Sequence, residues 1–166
     1  YPDLYDRLIV LNGWSKTYAM TGWRLGWSVW PEKLIEHVFK FCVNSHSCVN
    51  TPAQYGAIAA LDGPENHLKD MMKEFGIRRK LISDGLNSLK GVECSLPGGS
   101  FFVFPNVEKT GMTGEEFTEK CLKEAGVAII PGTAFGRNAT HNVRFNFATS
   151  RENISKAIEK IDKILK

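Results

Sequence analysis

No CxxC pair occurs in this 166-residue chain, and no group of cysteines and histidines has the spacing of zinc ligands. That pattern excludes a zinc-finger-type centre, and no metal is expected. No apolar run is long enough to cross a bilayer and no signal peptide is visible, so no membrane association is expected. Blocks of like charge are also missing. A net charge of +3, evenly spread, is too mild to argue for a nucleic-acid partner. Repeats and low-complexity segments are absent. Cysteines are few: Cys42, Cys48, Cys94 and Cys121. They read as buried free thiols, which fits a reducing cytosol and a cytoplasmic location.

What remains is an ordinary folded composition, 43% hydrophobic and 23% charged, in a chain long enough for a sizeable core. The segment RLIVLNG reads as a short buried strand, and RLGWSVW as a second. Pro31 then opens a helix through about Lys40. NSHSCVNTPAQ reads as a polar loop, and PAQYGAIAALDG as a helix that stops at Gly63. From about Pro64 to Leu89 apolar residues recur at three- and four-residue steps, the pattern of one long helix, with a possible bend at Gly76. A helix of that length can join two domains.

Beyond it, VECSLP and SFFVFPNV look like adjacent strands. TGEEFTEKCLKEAG has a capping box from Thr113 to Glu116 and a terminal Gly126. VAIIPG and VRFNFATS read as further strands. The last helix has Thr149 and Glu152 as its expected capping box and an apolar stripe of Ile154, Ile158, Ile161 and Leu165. The order of helix, strands, helix, strands, helix predicts an α/β sandwich.

The stretch WSKTYAMTGWRLGW carries the chemistry. Three tryptophans surround Lys16 and Arg24. A lysine is ordinarily a solvated surface residue. In an aromatic pocket its ammonium would lose hydration, which favours the neutral, nucleophilic amine that forms Schiff bases with carbonyls. Arg24 reads equally as a surface ion pair. Between Gly22 and Gly26, however, its planar fork suits two phosphate oxygens. Together these two residue types suggest pyridoxal phosphate.

The longer string NGWSKTYAMTGWRLGW resembles the pyridoxal-phosphate lysine motif of class I/II aminotransferases, with its closest look to the aspartate and aromatic aminotransferase branch. Ser15 is the small residue before the lysine, Ala19 a further small residue, and Arg24 with Gly26 the R-x-G ending. NTPAQYGAIAAL, PGGSFFVF, KEAGVAIIPGTAFG and VRFNFATS are similar, in order, to later segments of the family. The resemblance implies Lys16 as the catalytic, cofactor-bound lysine, with Arg24 and Ser15 toward the cofactor phosphate. Arg144 becomes the arginine for the substrate α-carboxylate, and Phe145 and Phe147 are expected to keep it dry. A homodimer follows, with Asn50 and Gln54 as the candidate contribution to a partner's site; a plain helix-capping loop is the alternative. The substrates implied are an amino acid and a 2-oxo acid.

Three departures stand out. Gly13 occupies a position that is serine in many members. Ser100 and Phe102 replace the alanine and tyrosine of the P-x-G-A-F-Y turn. The family's complete chain is also more than twice as long, and its first half holds the residues that contact the pyridine ring. The chain opens on YPDLYDRLIVLNG without an initiator methionine, running straight into an apolar strand. It therefore looks like the C-terminal half of an aminotransferase, with residues 1–66 ending the large cofactor-binding domain and 67–166 forming the small α/β domain. Such a half is expected to have little activity alone. A β-lyase or decarboxylase of the same fold, or a non-catalytic module, are the rival readings.

Overall fold

A computed structural model describes residues 2–166. They form two compact units, Tyr1–Lys69 and Asp70–Lys166. The division between the units falls in the first turn of a long helix. Among the described residues no helix is long and apolar enough to cross a membrane.

The first unit holds strands β1 (Val10–Gly13) and β2 (Gly26–Val29), then helices α1 (Glu32–His46) and α2 (Thr51–Asp62). The strands pair antiparallel from Val10↔Val29 to Gly13↔Gly26. They are shorter than the apolar runs suggest, because residues 5–7 turn instead of extending. At the closed end the backbones approach too nearly for side chains: a Cβ on Gly13 would lie 2.9 Å from the Leu25 carbonyl oxygen. Residues 14–25 loop out between the strands.

Helix α1 outruns its expected end at Lys40 and reaches His46. Its final polar residues bond back to the helix. The Asn44 amide donates to the Lys40 carbonyl at 2.7 Å and the Ser45 hydroxyl to the Phe41 carbonyl at 2.7 Å. Bonds of this kind satisfy the polar side chains within the helix. Among the described residues, Met20, Leu25, Ala53 and Ala57 form the buried hydrophobic cluster of this unit. No residue of α1 is buried, and Phe41 is 72% exposed.

Helix α3 (Asn66–Asn87) continues through Gly76 without interruption. The second unit then adds β3 (Phe102–Val103), α4 (Gly114–Lys120), β4 (Ile130–Pro131), β5 (Val143–Asn146) and α5 (Arg151–Leu165). The sheet order is β3-β5-β4, all antiparallel, with β5 central. Ile82 and Leu86 of α3, Phe117 of α4, and Ile154 and Ile161 of α5 share one core with Val103, Val143, Phe145 and Phe147. Helices thus cover one face of the sheet, and the α/β class expected from the sequence holds.

Three local expectations change. VECSLP is not a strand; only Glu93 bridges, to Asn106. Beside it the Asn87 side chain donates to the Cys94 carbonyl and accepts from the Cys94 N–H, both at 2.8 Å. A side-chain amide takes the place of a strand partner, so the ladder ends. The helix at 113–126 keeps its Thr113–Glu116 capping box but widens into a π turn at Cys121–Ala125, closed by Gly126 at φ 62°. At α5 the cap is Ser150, whose hydroxyl accepts from the Asn153 N–H, and not Thr149. Thr149 instead accepts from the Asn153 amide. Two of the four thiols are buried as expected, Cys94 and Cys121, but Cys42 is half-buried and Cys48 exposed. Burial pushes the Cys121 thiol up to about 12, so it is inert as a nucleophile.

Glu74 on α3 links the two long helices of this unit. It accepts from Arg78 at 2.7 Å and forms an ion pair with Arg151 at the start of α5. Hydrogen bonds from Arg151 and then Arg78 hold its carboxyl at about 2, well below the ordinary 4.5. The stabilisation from ionised Glu74 is therefore present in full above about pH 4.5 and fades as pH falls toward 2. Glu74→Gln is expected to lower the melting temperature at neutral pH, with the gap to the parent chain narrowing between pH 5 and pH 2 in parallel thermal melts. A Cβ at buried Gly132 would run into the carbonyl oxygens of Ala139 and Asn142, backbone atoms with no room to yield. Gly132→Ala should destabilise the second unit by about 3 kcal/mol in urea unfolding.

Candidate active site

Lys16 and Arg24 both lie on the loop between β1 and β2. The loop is shaped by its own backbone bonds: the Tyr18 N–H donates to the Trp14 carbonyl and the Ala19 N–H to the Lys16 carbonyl, each at 3.2 Å. It is also docked onto α2. The Trp14 indole N–H donates to the Ala57 carbonyl at 3.2 Å, and Trp23 lies against Gly56 so closely that a Cβ there would be 2.5 Å from the indole ring. The tryptophans therefore act as anchors for the loop. Trp14 is half-buried, whereas Trp23, Trp27 and Lys16 are exposed. Trp14 and Trp23 face α2, so these two rings serve the docking of the loop.

Two non-glycine residues of the loop sit in left-handed backbone conformations, Ala19 at φ 54° and Arg24 at φ 57°. Such residues cost free energy and persist where the surroundings dictate them, often at functional sites. Arg24 donates one guanidinium bond to the Thr21 carbonyl at 3.0 Å, which fixes the side chain back on its own loop. Arg24 lines a concavity of about 820 Å³ together with Ala19, Gly22, His46, Asn50 and Ala53. That is ample for a cofactor-sized ligand. Lys16 and Ser15 do not line it.

Asn50 caps α2, accepting from the Ala53 N–H at 3.0 Å, and the Gln54 amide donates to the Val49 carbonyl at 2.9 Å. Both side chains serve their own loop, the simpler of the two roles the sequence allows.

Arg144 belongs to the second unit and is set by the alternation of β5. Val143, Phe145 and Phe147 are buried in the core, so Arg144 faces the other way. The aromatic residues beside it are consequently not Phe145 and Phe147. They are Phe102 of β3, with its ring centroid 4.3 Å from the Arg144 Cζ, and Phe135, at 4.4 Å. Phe135 stands in turn edge-on to Phe104, with centroids 5.9 Å apart. Among the described residues Arg144 has no carboxylate or carbonyl partner, although it is half-buried. Sequence reasoning missed Phe135. The two glycines around it, Gly132 and Gly136, were the available signal of a tightly turned loop.

The chain is similar to known proteins along almost its whole length. The family model for aminotransferase class I and II matches residues 2–161. An aspartate aminotransferase of Pyrococcus abyssi is 40% identical over 98% of this chain and 42% of its own length. A probable aspartate aminotransferase of Methanocaldococcus jannaschii is 42% identical over 96% of this chain and 43% of its own. Among solved structures, an aromatic aminotransferase of Pyrococcus horikoshii superposes with a TM-score of 0.93 at 40% identity, covering 97% of this chain and 43% of that one. The chain thus spans less than half the length of these relatives. The family match leaves almost none of its residues outside, and the chain belongs to the aminotransferase class I and II family.

Proposed function

We propose that this chain supplies the lysine, phosphate-binding and carboxylate-binding side chains of a pyridoxal-phosphate-dependent aminotransferase, which moves an amino group between an amino acid and a 2-oxo acid. The names of its relatives favour an acidic or aromatic amino acid. The observation that carries the reading is the docked loop, with Lys16 on it and Arg24 held in a left-handed conformation on the wall of the concavity. This fits the group. Arg24 offers a cation and planar donors to a phosphate, Lys16 an amine to an aldehyde, and Ser15 beside it a hydroxyl. On this reading residues 1–66 belong to the large cofactor-binding domain and 67–166 to the small one.

Pyridoxal phosphate, when bound, supplies an aldehyde to receive the amino group and a ring to accept electrons from Cα. The chain's own residues do the rest. Arg24 neutralises the phosphate and fixes the cofactor's position. Arg144 binds the substrate α-carboxylate through its donor edge and so orients Cα. The Lys16 Nζ takes the proton from Cα and returns it on the cofactor side, which is general acid–base work. We further propose a cytoplasmic homodimer in which the loop of Asn50 and Gln54 approaches the partner's site. Exposed Tyr55, Ile58 and Leu61, at three-residue steps on α2, favour a covered helix face.

Titration of the purified chain with pyridoxal phosphate, followed by borohydride, is expected to leave one reduced adduct on Lys16 by peptide mass spectrometry. Lys16→Ala should lack it. Arg24→Ala should weaken the cofactor's apparent affinity at least about tenfold, with inorganic phosphate competing in the parent chain only. Adducts scattered equally over surface lysines would overturn the reading. The 166-residue chain by itself is expected to give no ordinary transaminase turnover with aspartate and 2-oxoglutarate.

A further inference from the structure

Arg144 is a feature of the second unit that folding alone does not explain. A half-buried guanidinium with no anionic or carbonyl partner among the described residues is costly to a fold. By contrast Arg78 and Arg151 close on Glu74, and Arg79 donates to the Pro97 carbonyl at 3.2 Å. What Arg144 has is two rings, at 4.3 and 4.4 Å. Each distance is within range of a ring stacked on a guanidinium, and a guanidinium has two faces. Rings on those two faces would shield both from water and accept no hydrogen bond of ordinary strength. The N–H groups in the plane of the cation, at its edge, are what remains for a ligand.

The Phe135 ring is tied down from several sides. Phe135 ends the turn Gly132–Phe135, whose Gly132 N–H donates to the Asn142 carbonyl at 2.7 Å. Asn142 lies just before β5, so ring and arginine stand on one base. The Thr133 hydroxyl donates to Glu115 on α4 at 2.8 Å, tying the turn from the other side. Phe104 packs edge-on behind the ring. Phe102 sits in β3 directly opposite Asn146 and diagonal to Arg144. Neither ring is needed to fill the core: Phe135 is 49% exposed, and Phe102 is half-buried.

We propose that Phe102 and Phe135 are positioning residues that clamp the Arg144 guanidinium between them, so that only its planar donor edge is offered and a two-oxygen carboxylate is taken in register. This deepens the reading of Arg144 given above and rests on it. The clamp accounts for why the residue is arginine: a lysine ammonium has no face to stack and no edge to present. It also removes rotamers that carboxylate binding would otherwise have to freeze, which is where the affinity comes from.

The test uses the full chain, labelled with ¹⁵N, and follows the Arg144 Nε–H resonance, identified by its loss in Arg144→Lys. The probe ligand is 2-oxoglutarate. In the parent chain the resonance should be displaced by the two ring currents and should move saturably with the probe. Phe135→Leu keeps an apolar side chain but no ring. It should return the free resonance toward that of a solvated arginine and raise the dissociation constant about tenfold. Phe135→Tyr should restore both, and the melting temperature should barely differ among the three. Equal affinity in Phe135→Leu and the parent, with 2-oxoglutarate still moving the resonance, overturns the clamp and leaves the carboxylate reading standing. A parent resonance that is ring-shifted but indifferent to 2-oxoglutarate overturns that reading, and the clamp's role with it.

Discussion

Side-chain alternation along β5 is the constraint on which the second unit depends. A central strand of period two must send every other residue to each face. Here Val143, Phe145 and, just beyond the strand, Phe147 go into the core, where helices α3, α4 and α5 meet them. Arg144 is thereby committed to the opposite face, with no freedom to join the core. One register serves both purposes. A slip of a single residue would bury the cation and expose three apolar side chains, so the packing that holds the unit together also aims the arginine. The neighbours obey the same logic: Phe102 pairs with Asn146 and Ile130 with Arg144, which places a ring diagonal to the guanidinium.

The first unit rests on a slighter framework. Its hydrophobic cluster is small, Met20, Leu25, Ala53 and Ala57 among the described residues, and α1 buries no residue. Its definition comes instead from close backbone approach and from aromatic anchors. Gly13 and Gly26 let the two strands meet, and Trp14 and Trp23 fasten the intervening loop to α2. Arg24 and Ala19 hold left-handed conformations under that fastening. Loop shape here is set by a few strong tethers, not by a dense core, which suits a segment that must present polar groups at a surface.

Much of this was legible in the residues, for identifiable reasons. The last helix announces itself by Ile154, Ile158, Ile161 and Leu165 at helical steps, and its core-facing side is the one observed. Lys16 and Arg24 stood out as candidates because their motif is contiguous, and the structure puts both on one loop. Arg144 was readable as an arginine in a strand, but its company was not. Adjacent Phe145 and Phe147 were the obvious candidates along the chain, and alternation turns them away. Phe135 reaches Arg144 only through the tertiary path of Gly132 and Asn142, which no local pattern encodes. The missing strand at 92–97 has a similar origin. Its β-like composition is genuine, but the Asn87 side chain fills the position that a neighbouring strand would take. The one-residue error at the start of α5 arose because Thr149 and Ser150 are equally good caps, and only the bond from the Asn153 N–H decides between them.

The shortness of the outer strands has a separate consequence. β3 and β4 span two residues each, the latter ending in Pro131, and Pro105 follows closely on the former. A proline has no N–H to give, and two residues expose almost no ladder. Such borders offer little template to a passing polypeptide in extended form. The rims of the sheet therefore resist the edge-to-edge growth that leads to aggregates.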